Sequence, residues 1–95
     1  MLFMIYCVDK PNHGEVRAAN RPDHLDYLKA QGDKLVAAGP TPSDDGSAVT
    51  GSLIIMEMAD RAAAEAFAAA DPYAQAGLFE SVTIKPWKKV LPAAG

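Results

Sequence analysis

Apolar residues along this chain fall into four short stretches, with two helix-like patterns between them. Leu2-Phe3-Met4-Ile5-Tyr6-Cys7-Val8 is short, apolar and rich in β-formers, and Asp9-Lys10-Pro11-Asn12 stops it. It predicts a buried first strand. From about Glu15 to Gly32 the pattern is helical, with Leu25 and Leu28 three apart on a core-facing stripe and Val16 a further member upstream. Pro22 interrupts it. A proline costs about 3 kcal/mol in a helix interior but is tolerated in the first turn. Either a short helical turn precedes a main helix starting near Arg21-Pro22, or one helix bends there. Gly32 is expected to end the segment as a C-cap.

Lys34 to Ala38 predicts a short second strand, and Gly39 to Gly46 is so dense in turn formers that it predicts a loop. Thr50 to Met58 predicts the third strand. Leu53, Ile55 and Glu57 alternate there with Ile54, Met56 and Met58, so both faces are apolar. Asp60 is placed to cap an alanine-rich helix reaching about Ala70, with a stripe of Ala63, Ala66, Phe67 and Ala70. Asp71-Pro72-Tyr73 opens a further turn that stops at Gly77. Leu78 to Lys85 predicts the fourth strand, with Val82 and Ile84 on one face and Pro86-Trp87 ending it. Pro92 to Gly95 is expected to fray.

The order βαββαβ predicts an α+β fold of the ferredoxin-like, split βαβ kind: a four-stranded antiparallel sheet with two helices on one face. The other sheet face is then bare. Because the third strand is apolar on both sides, a homodimer packed sheet against sheet, in the manner of a dimeric α+β barrel, is expected.

A length of 95 residues makes a single domain, 1–95. The formal charge of −3 and scattered basic residues argue against nucleic acid as the main partner. Lys85, Lys88 and Lys89 form the one basic cluster, and a solvated strand end accounts for it. The first apolar run is too short for a membrane span of about 20 residues. It also lacks the flanks of a signal peptide. Cys7 is the sole cysteine, which rules out an intrachain disulfide and suits a reducing, cytoplasmic setting.

The chemistry centres on His24. If its segment is helical throughout, Arg17, Arg21 and His24 share one face. Two guanidiniums beside an imidazole make a patch that can bind an anion and move a proton, and they favour the neutral, basic form of the ring. The spacing alone is equally that of a solvated helix face. His13 lies in a turn beside Gly14 and reads as surface. Two histidines eleven apart and one strand cysteine make no metal-ligand set, and no nucleotide-binding glycine motif or nucleophile elbow is present. Asp71 reads as an N-cap for the turn that follows, or as a carboxylate that orients a histidine; Asp9 has the same two readings. Gly39-Pro40 is either a plain turn or a backbone approach to a ligand.

Six segments in order, MLFMIYCVDK at Met1–Lys10, RPDHL at Arg21–Leu25, Ala38-Gly39-Pro40, Thr50-Gly51-Ser52, Asp71-Pro72-Tyr73 followed by Ala76-Gly77, and Lys85-Pro86-Trp87-Lys88-Lys89-Val90, resemble the YciI-like, YCII-related domain family. The resemblance covers nearly the whole chain. It implies a ferredoxin-like fold, usually dimeric, and a site centred on one histidine and one aspartate, matched here by His24 and Asp71. It also implies a cofactor-free enzyme of lyase or hydrolase type, since one relative is a dehydrochlorinase acting on a chlorinated hydroxyhydroquinone. His24 would then be the base, with Arg17, Arg21, Asp9, Gly39 and Pro40 around a small phenolic or anionic substrate. The Thr41–Ala48 loop is shorter than in some relatives. A small-molecule-binding module and a dimeric interaction domain are the rival readings. The topology is expected to place the end of the first strand and the start of the first helix at one edge of the sheet, and the end of the second helix toward the opposite edge. That makes Asp9 the easier partner for His24, whereas the motif match ranks Asp71 first.

Overall fold

The computed structural model describes residues 1–93. Strand β1 (Leu2–Asp9) leads into helix α1 (Gly14–Lys29). A single 3-10 turn (Gly32–Lys34) follows, then β2 (Leu35–Pro42) and β3 (Val49–Glu57). Helix α2 (Arg61–Ala70), the short α3 (Pro72–Gln75) and β4 (Phe79–Trp87) complete the order. The strands form one sheet in the order β2-β3-β1-β4 with every neighbour antiparallel. The fold is the ferredoxin-like α+β arrangement that the pattern predicts.

Alternation sorts the sheet into two faces. Phe3, Ile5 and Cys7 of β1 and Ile54 and Met56 of β3 are buried. Ile5, Cys7, Ile54 and Met56 pack with Leu28 of α1 and Phe67 and Ala68 of α2 in one core. Tyr27 ties the two helices: its hydroxyl donates to the Phe67 carbonyl at 2.8 Å, and its ring stacks on Phe67 at 4.8 Å. On the opposite face Tyr6, Leu53 and Trp87 remain 37–39% exposed.

Several local expectations need correction. Of the two alternatives at Pro22 the single helix is the one found: α1 runs unbroken from Gly14 to Lys29. The proline ring and Ala18 are both exposed, so the Ala18 carbonyl that loses its helical partner can turn to water. On α1 His24 and Leu28 are buried, and half-buried Tyr27 packs against the core with Leu28, whereas half-buried Leu25 is not part of that cluster. The helix ends at Lys29, and Gly32 serves the next turn instead, at φ +60. The expected Gly39–Gly46 loop is partly strand: β2 continues to Pro42 by pairing Gly39, Pro40 and Thr41 with Leu53, Ser52 and Gly51. Pro40 is tolerated because β2 is an edge strand. The turn that remains is organised by Asp45, whose carboxylate accepts from the Ser43 hydroxyl and from the Ser47 amide and hydroxyl. In α2 the buried stripe is Ala64, Phe67 and Ala68; of the expected set only Phe67 is buried, while Ala63 is half-buried and Ala66 and Ala70 are exposed. Asp60 caps that helix as expected, accepting from the Ala63 amide at 2.8 Å. Pro86 and Trp87 belong to β4. The frayed tail expected at Pro92–Gly95 lies in part outside the described residues. Among the described residues no helix is long and apolar enough to cross a membrane.

Candidate functional site

The chain direction of each element brings the site together. β1 ends, α1 begins and α2 ends at the same end of the sheet. Asp9 pairs with Phe79 at the start of β4, and the Lys10 amide donates to the Leu78 carbonyl at 2.8 Å. The Asp71–Gly77 connection therefore lies beside α1. The expectation that the end of the second helix sits toward the opposite edge is wrong, because α2 runs back along the sheet after β3 and delivers its C-terminus to the β1 end.

His24 occupies a core-facing position of α1, where it is 6% exposed. Its Nδ1 lies 2.8 Å and 3.0 Å from the two carboxylate oxygens of Asp71, which is itself 2% exposed. Asp71 is held by the backbone as well. It N-caps α3, and its Oδ1 accepts from the Tyr73 amide at 2.9 Å. A carboxylate acceptor fixes Nδ1 as the proton-bearing nitrogen of the neutral imidazole. Nε2 then carries the free lone pair. Among the described residues no buried polar side-chain atom lacks a partner, and His24 lines a cavity of about 190 Å³, so Nε2 is the nitrogen that opens to it.

Tyr73 is the wall behind the imidazole. The two rings stack at 3.9 Å with an interplanar angle of 14°. The Arg17 guanidinium sits 4.6 Å from the centroid of the same Tyr73 ring. Burial pushes the Tyr73 phenol above its ordinary value, against the pull of Arg17. Arg17 is gripped by Asp9 through two bonds, Nε to Oδ2 at 2.7 Å and Nη2 to Oδ1 at 3.0 Å. Its Nη2 also donates to the Ser52 hydroxyl oxygen at 2.8 Å. Burial works against the Arg17 charge, but Asp9 and Tyr73 together outweigh it and hold the guanidinium above its ordinary value. Because Ser52 accepts from Arg17, its own O–H is free to donate elsewhere.

Arg21 is exposed and makes no ion pair among the described residues. It lines the His24 cavity together with Arg17, Gly39 and Pro40. The last two reach it as part of β2 and not as a turn. Beneath the site, burial pushes the Cys7 thiol up to about 12, with Asp71 and Asp9 adding to the effect. His13 stays at the surface of the β1–α1 connection, with Nδ1 2.7 Å from the Pro11 carbonyl. Among the described residues no three His, Cys, Asp or Glu side chains gather in a metal-binding group.

His24 with Asp71, and Arg17 with Asp9, are thus two separate pairs. The first has an imidazole nitrogen free toward a cavity, and the second is a buried ion pair that shapes its wall. Ser52 and Tyr73 belong to the same cavity and were not among the expected site residues. Both lie inside the Thr50-Gly51-Ser52 and Asp71-Pro72-Tyr73 segments. Nothing in their spacing shows that they meet His24 and Arg17.

The chain matches the family described as the YCII-related domain over residues 1–88. It is 45% identical over 97 residues to Protein YciI of Escherichia coli and of Shigella flexneri, covering 95% of this chain and 99% of each relative. An uncharacterized protein of Haemophilus influenzae is 39% identical over the same span. Among solved structures, the 5-chloro-2-hydroxyhydroquinone dehydrochlorinase TftG of Burkholderia phenoliruptrix, in complex with 2,5-dihydroxybenzoquinone, superposes with a TM-score of 0.87 at 35% identity. That match covers 99% of this chain and all of the other, 100%. A Pseudomonas aeruginosa protein, at 14% identity and a TM-score of 0.55, shares the fold alone.

Proposed function

This chain belongs to the YCII-related domain family, and on that premise we propose that it is a small lyase-like enzyme using His24 as a general base on a one-ring phenolic or otherwise anionic aromatic metabolite. The observation that carries the reading is the buried contact of His24 Nδ1 with Asp71 at 2.8 Å, which leaves Nε2 as the basic atom toward the cavity.

The chemistry is an elimination. Nε2 takes a proton from one ring hydroxyl and returns it to the ring carbon that carries the leaving group, giving a keto tautomer in which that carbon is tetrahedral. Nε2 then takes the proton of a second hydroxyl, the electron pair left behind forms the second carbonyl, and a leaving group such as chloride departs with its bonding pair, so the product is a quinone and the net change is loss of HX. The step is redox-neutral and calls for no electron acceptor and no cofactor. Asp71 fixes the tautomer and balances the imidazolium that forms. Arg21 is the free cation for the anionic oxygen of the substrate, Arg17 adds to the field while held by Asp9, and Ser52 donates a hydrogen bond. Gly39 and Pro40 close the β2 side. The likeness to a dehydrochlorinase at a TM-score of 0.87 supports this reaction class. A hydrolysis at the same base is the neighbouring possibility within the reading.

The open sheet face supports a second assignment, that the protein is a homodimer. Tyr6, Leu53 and Trp87 lie exposed there beside half-buried Met4 and Ile55, a composition that suits burial against a second copy. One buried thiol without a disulfide partner suits the cytoplasm.

The test of the reaction class is chloride release from 5-chloro-2-hydroxyhydroquinone and related halogenated hydroquinones. Catalysed release with wild-type protein is the expected result. Binding of these rings without any turnover would favour a non-catalytic binding module, and neither binding nor turnover would leave the sheet face as the function.

A further inference from the structure

Arg21 stands between two cavities. The inner one, about 190 Å³, contains His24, and the outer one, about 630 Å³, opens between the β1–α1 connection and the β2–β3 turn. Arg17, Arg21 and Pro40 wall both, so they are two chambers of one cleft. A cavity of about 150 Å³ suffices for benzene. The inner chamber is therefore filled by a single substituted ring, and the outer one remains for a further part of the ligand.

Charge indicates what that part is. Among the described residues Asp9 is the one carboxylate on the outer walls, and it is already bound by Arg17. Lys10 and Arg21 also line this chamber and have no carboxylate partner among the described residues; the Lys10 ammonium rests beside Gly77 at the rim, and rotation of its exposed side chain brings it to an anion in the chamber. In a chain of formal charge −3, the chamber concentrates cations without matching acids. Such a recess focuses a positive potential and draws anions in.

We propose that the outer chamber is an anion subsite, and that the substrate is an aromatic ring bearing a carboxylate or phosphate on a short linker, with the ring beside His24 and the anion held by Lys10 and Arg21. This rests on the reading that a ring binds at His24.

Three matched ligands test it by calorimetry: 2-methylhydroquinone, 2,5-dihydroxyphenylacetate and 2,5-dihydroxybenzyl phosphate. Ring binding is followed separately through the His24 imidazole resonances. Wild-type protein should bind at least one anionic compound about tenfold more tightly than the bare ring, as expected for one or two charge-assisted hydrogen bonds. The preferred compound identifies the anion. Lys10→Gln removes one cation, and Ala18→Phe fills the outer chamber from the exposed side of α1. Each should abolish the preference and leave 2-methylhydroquinone affinity unchanged. Equal affinity for all three ligands, with the His24 signals shifting in every case, would overturn the anion subsite and leave the ring site standing. A preference that survives both variants would also overturn it. If none of the three shifts the His24 signals, the ring site and the subsite fall together.

Discussion

The proposed chemistry depends on one imidazole whose two nitrogens have different surroundings. Nδ1 faces the buried Asp71 carboxylate, and Nε2 faces the cavity. Asp71 is also the N-cap of α3, so its substitution tests two functions at once. Asp71→Asn keeps an oxygen for the Tyr73 amide and should leave the fold in place. It removes the charge that fixes the tautomer, and turnover should fall by at least about a hundredfold with little change in ring affinity. A comparison of kcat with ligand affinity checks this. Cys7 gives a second residue-scale prediction. Its thiol is pushed up from 9.0 to about 12 in the folded chain, so the unfolded chain loses this proton first. Stability should then fall as pH rises from about 9 toward 12. Urea denaturation of Cys7→Ala should show a shallower alkaline decline than wild type, once its lower stability at neutral pH is subtracted. At this scale the sequence makes His24 visible by type and its partner visible by motif. It does not show Ser52 and Tyr73, because they come from β3 and α3 and meet α1 only through the tertiary fold.

Elements were legible where local chemistry decides them and less so where pairing does. Asp60 caps α2 as its position before an alanine run suggests. In contrast, β2 extends through Gly39 and Pro40, which locally favour a turn, because β3 offers a pairing edge as far as Gly51. Only Phe67 of the expected α2 stripe is buried, because an almost uniform alanine surface carries little periodic signal: Ala64 and Ala68 are buried, while Ala66 and Ala70 are exposed. Pro22 does not break α1 because it falls on the solvent side. One element contact is unusually strict. A Cβ on Gly51 would lie 2.0 Å from the Cys7 carbonyl oxygen, a backbone atom of the neighbouring strand. Gly51→Ala should therefore destabilise the protein by about 3 kcal/mol or more, since β1 and β3 must separate to admit a methyl group. A urea midpoint well below that of wild type checks it, and a change under about 0.5 kcal/mol would show that the two strands part easily.

Taken as a whole, the molecule has a helix-covered face that builds the site and an open face that is apolar. The fold class follows from the order of elements. The site does not, because the direction of α2, and not its place in the order, decides that Asp71 returns to the β1 end of the sheet. The alternation in β3 left open which side would meet a partner, and burial decides it: Ile54 is in the core, while Ile55 lies on the other face. Ile55→Glu should therefore convert a dimer to a monomer without unfolding it, whereas Ile54→Glu should unfold the chain. Sedimentation velocity with circular dichroism separates the two, and wild-type protein that sediments as a monomer at all concentrations would contradict the homodimer. A base at His24 acting on a ring in the inner chamber is put to the sharpest trial by turnover of 5-chloro-2-hydroxyhydroquinone by His24→Gln. The expected outcome is a folded variant that still binds the ring while chloride release falls by about 10² to 10⁴-fold, the usual contribution of a positioned general base. Chloride release at the wild-type rate from that variant would contradict it.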